Sequence, residues 1–121
     1  MTEIQNTKQY DLEERTFKFA KDCRGLVRQL PKTIGNFEDG KQLVRSSGSA
    51  HANYIEANES LSKKDYYHRV KICRKEAKES RSWLRLLDIG DNNQLDKERS
   101  RLIQEATELM RIFGSIVEKG K

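Results

Sequence analysis

The stretch Ser62–Leu87 reads SKKDYYHRVKICRKEAKESRSWLRLL, and its periodicity decides the fold. Tyr66, Val70, Cys73, Ala77, Ser80, Leu84 and Leu87 recur at steps of four, three, four, three, four and three. An α-helix of about 3.6 residues per turn puts such positions on one face, so they form a buried stripe. Ser62 followed by Asp65 has the pattern of a capping box, in which the two side chains satisfy free backbone N–H groups at a helix start. The spacing predicts a helix over about 63–88.

The same period extends outward in both directions. Beyond the turn Ile89-Gly90-Asp91-Asn92-Asn93, the residues Leu95, Leu102, Ile103, Ala106, Leu109, Met110, Phe113, Ile116 and Val117 predict a helix over about 93–118. Upstream, Leu43, Ser46, Ser47, Ala50, Tyr54 and Ala57 line a helix over about 37–58, for which Asn36 reads as the N-cap after a loop from Lys32 to Gly35. Gly48 lies inside that helix at a propensity cost of order 1 kcal/mol, which suggests that a second helix backbone approaches there. A first helix over about 12–30 carries Leu12, Thr16, Phe19, Ala20, Cys23, Leu26, Val27 and Leu30, opens on an Asp11/Glu14 capping box and ends at Pro31. Residues 1–10 read as a polar tail ahead of a single domain over 11–121. Four amphipathic helices with short connections favour antiparallel neighbours, so the expected fold is all-α, an up-down-up-down four-helix bundle.

Composition agrees with this class. Charged residues make up 36 % of the 121, with one Pro and seven Gly, a balance suited to long helices rather than to a turn-rich β fold. No run of about 18 apolar residues could span a membrane, and Met1–Tyr10 lacks the apolar segment of a signal peptide, so a cytoplasmic location is expected. Cys23 and Cys73 occupy apolar positions without metal-like spacing and read as small buried hydrophobes.

Catalytic chemistry is not expected, nor is a cofactor. His51 and His68 lack the Glu-x-x-His spacing of two-metal bundles, neither has an evident nucleophile beside it in sequence, and there is no phosphate-binding glycine loop or zinc motif.

Charge is unevenly distributed across a formal net of +5. From Ser62 to Asp88 there are nine Lys/Arg against four Asp/Glu, whereas Asn36 to Ser60 has two against four. On a helical wheel centred on Ala77, Lys64, Lys71, Lys75, Lys78 and Arg85 share one flank, with Arg74 and Arg81 beside it. Such a stripe suits phosphate neutralisation, and it equally suits a solvated, solubilising face. A second polar set, Arg45, Ser49, Asn53 and Glu56 with Glu76 and Glu79, flanks the apolar faces. It reads either as a solvated edge or as an interhelical network in which Arg45 and Asn53 hydrogen-bond the carboxylates. Ile72 and Trp83 bracket Glu76 and Glu79, which makes this flank a candidate subunit interface unless Trp83 packs within the monomer.

These residues carry a resemblance. DLEERTFKFA at Asp11–Ala20, QLVRSSGSAHANYIEA at Gln42–Ala57, the Ser62–Leu87 stretch and EATELMRIF at Glu105–Phe113 together resemble the small bundle proteins associated with intervening sequences in bacterial 23S ribosomal RNA genes. Arg45-Ser46, Ser49, Asn53, Glu56, Glu76, Glu79, Trp83 and Leu84, in this order, carry most of its specificity. Ala50 and His51 depart from it, standing where a larger aliphatic and a small residue are more usual. The resemblance implies a left-handed bundle that assembles as a homopentamer without established catalytic activity. A similar bundle is the accessory variability determinant of diversity-generating retroelements, which binds nucleic acid and a reverse transcriptase. The expected function is therefore a non-enzymatic homo-oligomer contacting RNA or DNA, with a protein–protein adaptor as the alternative.

Overall fold

The computed structural model describes residues 11–121, so the tail assigned to 1–10 lies outside the described residues. Four helices follow in chain order: α1 (Leu12–Arg28), α2 (Ile34–Asn58), α3 (Lys63–Leu86) and α4 (Asn93–Lys119). Each helix packs on two neighbours, α1 on α2 and α4, and α3 on α2 and α4. Side-chain bonds between early and late positions fix the antiparallel sense. Asn58 near the end of α2 donates to Glu13 at the start of α1 at 2.6 Å, and Arg101 of α4 donates to Asp22 of α1 at 2.8 Å.

The core follows the predicted stripes. Phe19, Phe113, Leu12, Leu26, Leu43, Leu84, Leu102 and Leu109 are its largest fully buried side chains, and burying each contributes roughly 1.5–3 kcal/mol. Small residues are buried on both α2 and α3, Ser46 and Ala50 on one and Cys73, Ala77 and Ser80 on the other, and Ser46 meets Ser80 across the interface. Ser80 Oγ donates to Glu76 O at 2.9 Å, which uses its one proton, so the 2.8 Å contact with Ser46 Oγ is satisfied when Ser46 donates. Small hydroxyls thus allow the two helices to lie close with no orphaned polar atom at that point.

Helix starts required three corrections. Asp11 makes no side-chain cap bond, because its φ of −103° and ψ of 46° are not the extended geometry that swings a side chain over the first turn. Asn36 is not the cap of α2: Thr33 is, accepting Asn36 N–H at 3.1 Å, and Asn36 is buried inside the first turn. The Ser62 hydroxyl accepts Asp65 N–H at 3.1 Å, but among the described residues the return bond from the Asp65 side chain is absent. The nearest atoms to Gly48 are those of the Arg24 side chain, not a helix backbone. A Cβ there would stand 3.0 Å from the Arg24 guanidinium, so the missing side chain makes room for an arginine of α1.

Helix α3 ends at Leu86 rather than Asp88, because Leu87 leaves in extended backbone and both Leu87 and Ile89 turn into the core. Arg99 of α4 donates to the freed Leu87 carbonyl at 2.6 Å, and Gly90 takes the positive φ of 70° that completes the turn. Helix α1 likewise ends early, at Arg28, with Leu30 folding inward at 7 % exposure ahead of Pro31.

Candidate nucleic-acid interface

Helix α3 presents three faces with different chemistry. Its apolar stripe enters the core, and one flank carries the predicted cations. Lys64, Lys71, Arg74, Lys75, Lys78 and Arg85 are exposed, while Arg81 is half-buried. From Lys64 to Arg85 the flank spans roughly 32 Å at the standard rise of ~1.5 Å per residue. It faces the α4 side: Arg81 donates to Thr107 Oγ1 at 3.5 Å, and a Cβ on Gly114 would lie 3.8 Å from Arg74 Cδ.

Several cations elsewhere in the bundle have carboxylate partners. Arg15 forks onto Glu105 and Glu108 at 2.7 and 3.1 Å, and Arg101 bridges Asp22 and Glu98 at 2.8 and 2.7 Å. Hydrogen bonding to these carboxylates raises the pKa of both guanidiniums, which locks their charge inside the monomer. None of the seven cations on the α3 flank has an ion pair among the described residues. The carboxylates of α3 that could neutralise them, Glu76 and Glu79, point to the opposite flank.

There they form a seam with α2. Arg45 reaches Glu79 at 3.2 Å and Glu76 at 3.7 Å, and Ser49 Oγ donates to Glu76 Oε2 at 3.2 Å. The Glu76 carboxylate is buried: Ser49 satisfies Oε2, whereas Oε1 has no hydrogen-bond partner among the described residues and meets only the Arg45 charge at 3.7 Å. Asn53 does not reach a carboxylate. Its Nδ2 donates to Ser49 O and Oγ at 2.9 and 3.1 Å, and its Oδ1 accepts Arg69 Nη1 at 2.9 Å. Glu56 stands apart, exposed; its carbonyl accepts the Glu59 N–H and the Ser60 hydroxyl, and its carboxylate has no ion pair among the described residues. Arg69 was absent from the sequence reading. The series Ile72, Glu76, Glu79, Trp83 extended back by three residues lands on it, which was the available signal.

Trp83 is half-buried and packs against the core of its own chain, as Ile72, also half-buried, does not. The Trp83 Nε1 has no hydrogen-bond acceptor among the described residues. His51 is held by Thr16: the Thr16 hydroxyl lies 2.8 Å from Leu12 O and 2.9 Å from His51 Nδ1, an arrangement satisfied when the imidazole Nδ1–H donates. Among the described residues no group of His, Cys, Asp and Glu is placed to hold a metal ion, and no helix is long and apolar enough to cross a membrane.

The sequence profile of the 23S rRNA-intervening sequence proteins matches residues 8–115, nearly the whole chain. The chain belongs to the 23S rRNA-intervening sequence protein family. A crystal structure of a protein of unknown function from the S23 ribosomal protein family of Bacteroides thetaiotaomicron has the same fold, with a TM-score of 0.72 and 24 % identity over 87 % of this chain and 96 % of that one. No curated protein matches. In this member of the 23S rRNA-intervening sequence family, the basic flank and the acidic seam therefore sit on opposite sides of one helix, and α3 separates the two charges.

Proposed function

We propose that the protein is a non-enzymatic, homo-oligomeric bundle that binds structured RNA or DNA along the basic flank of α3. The carrying observation is the row of seven cations on that flank, none of them with an ion pair among the described residues, whereas Arg15, Arg45 and Arg101 on the other three helices are paired. Cations left unpaired along about 32 Å suit a ligand that supplies a row of negative charges, and releasing its counterions drives binding. A non-enzymatic role is supported by the seam, whose carboxylates Glu76 and Glu79 are engaged by Arg45 and Ser49 rather than converging on a cleft.

The test is fluorescence anisotropy with labelled structured RNA and duplex DNA across a salt series. Wild type should show a log–log slope of several units, and Lys71→Glu with Lys78→Glu should reduce the slope by about one per lost contact without changing assembly. Affinity unchanged by the double charge reversal would remove the flank from the binding surface.

Assembly is proposed to use the seam side, where Ile72 is half-buried without joining the core cluster. Ile72→Ala combined with Trp83→Ala should lower the mass measured by light scattering. A wild-type mass would place the interface elsewhere.

A further inference from the structure

An apolar groove of about 390 Å³ opens between the end of α1 and the first half of α2. Its walls are Val27 and Leu30 from α1 and Phe37 and Val44 from α2. Gly40 is part of its wall, and a Cβ there would come within 3.1 Å of Val27 Cγ1. Phe37 remains 61 % exposed and its neighbour Ile34 84 % exposed, apolar surface of the kind that marks interaction sites.

The rim is charged with one sign. Lys32, Lys41 and Arg45 line the groove, and no Asp or Glu does. Lys32 has no ion pair among the described residues, Lys41 pairs with Glu38 at 3.8 Å with both side chains exposed, and Arg45 is held by Glu79 and Glu76. The start of α2 adds to this field. It is the one helix of the four without an acidic residue in its first turn, so its positive dipole end is not offset there.

We propose that this groove is the docking site for an acidic amphipathic helix of a partner protein. The partner lays its apolar face over Phe37, Val27 and Val44 and sets its carboxylates against the exposed Lys32 and Lys41. From Thr33 to Arg45 the groove follows α2 for roughly 18 Å, about three turns, which accommodates anchors at i, i+4 and i+7 of a bound helix. Charge complementarity selects the acidic partner. The apolar floor selects a helix over a phosphate backbone, for which Val27, Leu30 and Val44 offer no donor. The site lies on the α1–α2 side, away from the α3 flank that faces α4, so it stands independently of the nucleic-acid reading.

The experiment is selection from a displayed library of helices about sixteen residues long, against the full-length protein, with counter-selection against Phe37→Glu. Phe37 is exposed, and circular dichroism with thermal melting confirms that the variant is folded; Phe37→Ser serves as the milder second variant. Enriched sequences should combine apolar residues at i, i+4 and i+7 with an excess of Asp and Glu. A synthetic copy of one should lose affinity about tenfold on Phe37→Glu and about fivefold on Lys32→Glu with Lys41→Glu. No Phe37-dependent sequence, or enrichment of neutral or basic ones, overturns the proposal. A drop in oligomer mass with Phe37→Glu makes the occupant a second copy, and loss of RNA binding with that variant makes it nucleic acid; either result also overturns it.

Discussion

The side chain of Asn36 clasps the backbone of Asp88 across 52 residues of sequence: its Nδ2 donates to Asp88 O and its Oδ1 accepts Asp88 N–H, both at 2.9 Å. The same Nδ2 donates to Pro31 O at 2.9 Å. One amide thus ties the start of α2 to both neighbouring helix ends, where α1 has just stopped and α3 has just left helical backbone.

Replacing Asn36 by Ala should cost about 2–3 kcal/mol, because three hydrogen bonds go and the part-buried backbone groups at Asp88 and Pro31 lose their partner. Asn36→Asp keeps the acceptor but sets a carboxylate against two carbonyl oxygens, and should be at least as destabilising near neutral pH. Urea unfolding of the three proteins measures both effects, and losses below about 0.5 kcal/mol would mean that water replaces the clasp.

The Arg45–Glu76 contact can be weighed by a double-mutant cycle. Arg45 is half exposed and Glu76 nearly buried, with side-chain exposures of 52 % and 8 %, so removing the cation leaves the carboxylate with Ser49 alone. Arg45→Ala should cost about 1–2 kcal/mol in wild type and clearly less in a Glu76→Gln background, where no buried charge remains. Equal costs in both backgrounds would assign the role of Arg45 to Glu79 instead.

Trp83 separates packing from assembly. With no acceptor for Nε1 among the described residues, Trp83→Phe should change monomer stability by less than about 1 kcal/mol, while Trp83→Ala should cost about 2 kcal/mol through lost contact with the core. A fall in oligomer mass with Trp83→Phe would locate the acceptor of that N–H on a second copy.

Alkali should destabilise the fold through its thiols. Burial pushes Cys23 and Cys73 up to about 12, against roughly 8.5 for an unfolded cysteine. Because the folded values are raised, the stabilisation is full below about pH 8.5 and is lost as pH climbs towards 12. Tyr54, raised first by desolvation and then by its neighbour Tyr66, adds to the loss above about pH 10. Urea unfolding at pH 8 and pH 10.5 should differ by roughly 2 kcal/mol less in Cys73→Ala than in wild type. A pH dependence unaltered by that substitution would show the thiol to be accessible, as would rapid labelling of the native protein.

Much of this was legible along the chain. Helix positions came from the 3.6-residue period, a local property that Val70, Cys73, Ala77, Ser80 and Leu84 express without reference to any other segment. The basic flank was legible for the same reason, since angular position on one helix is set by residue spacing. Pairings between helices were not. Arg69 with Asn53, and Asn36 with Asp88, depend on the offset between two helices, and no spacing within either encodes it.

Sequence alone therefore determined four helices, their buried faces and the segregation of positive charge on α3. Tertiary structure decided which carboxylates neutralise which cations. It spent Glu76 and Glu79 on Arg45, left the opposite flank of α3 unpaired, and opened the groove where Gly40 faces Val27. The physical reason is range: helical periodicity is written in neighbours three and four residues apart, whereas a salt bridge or a groove exists only once separate helices have fixed their distance and register.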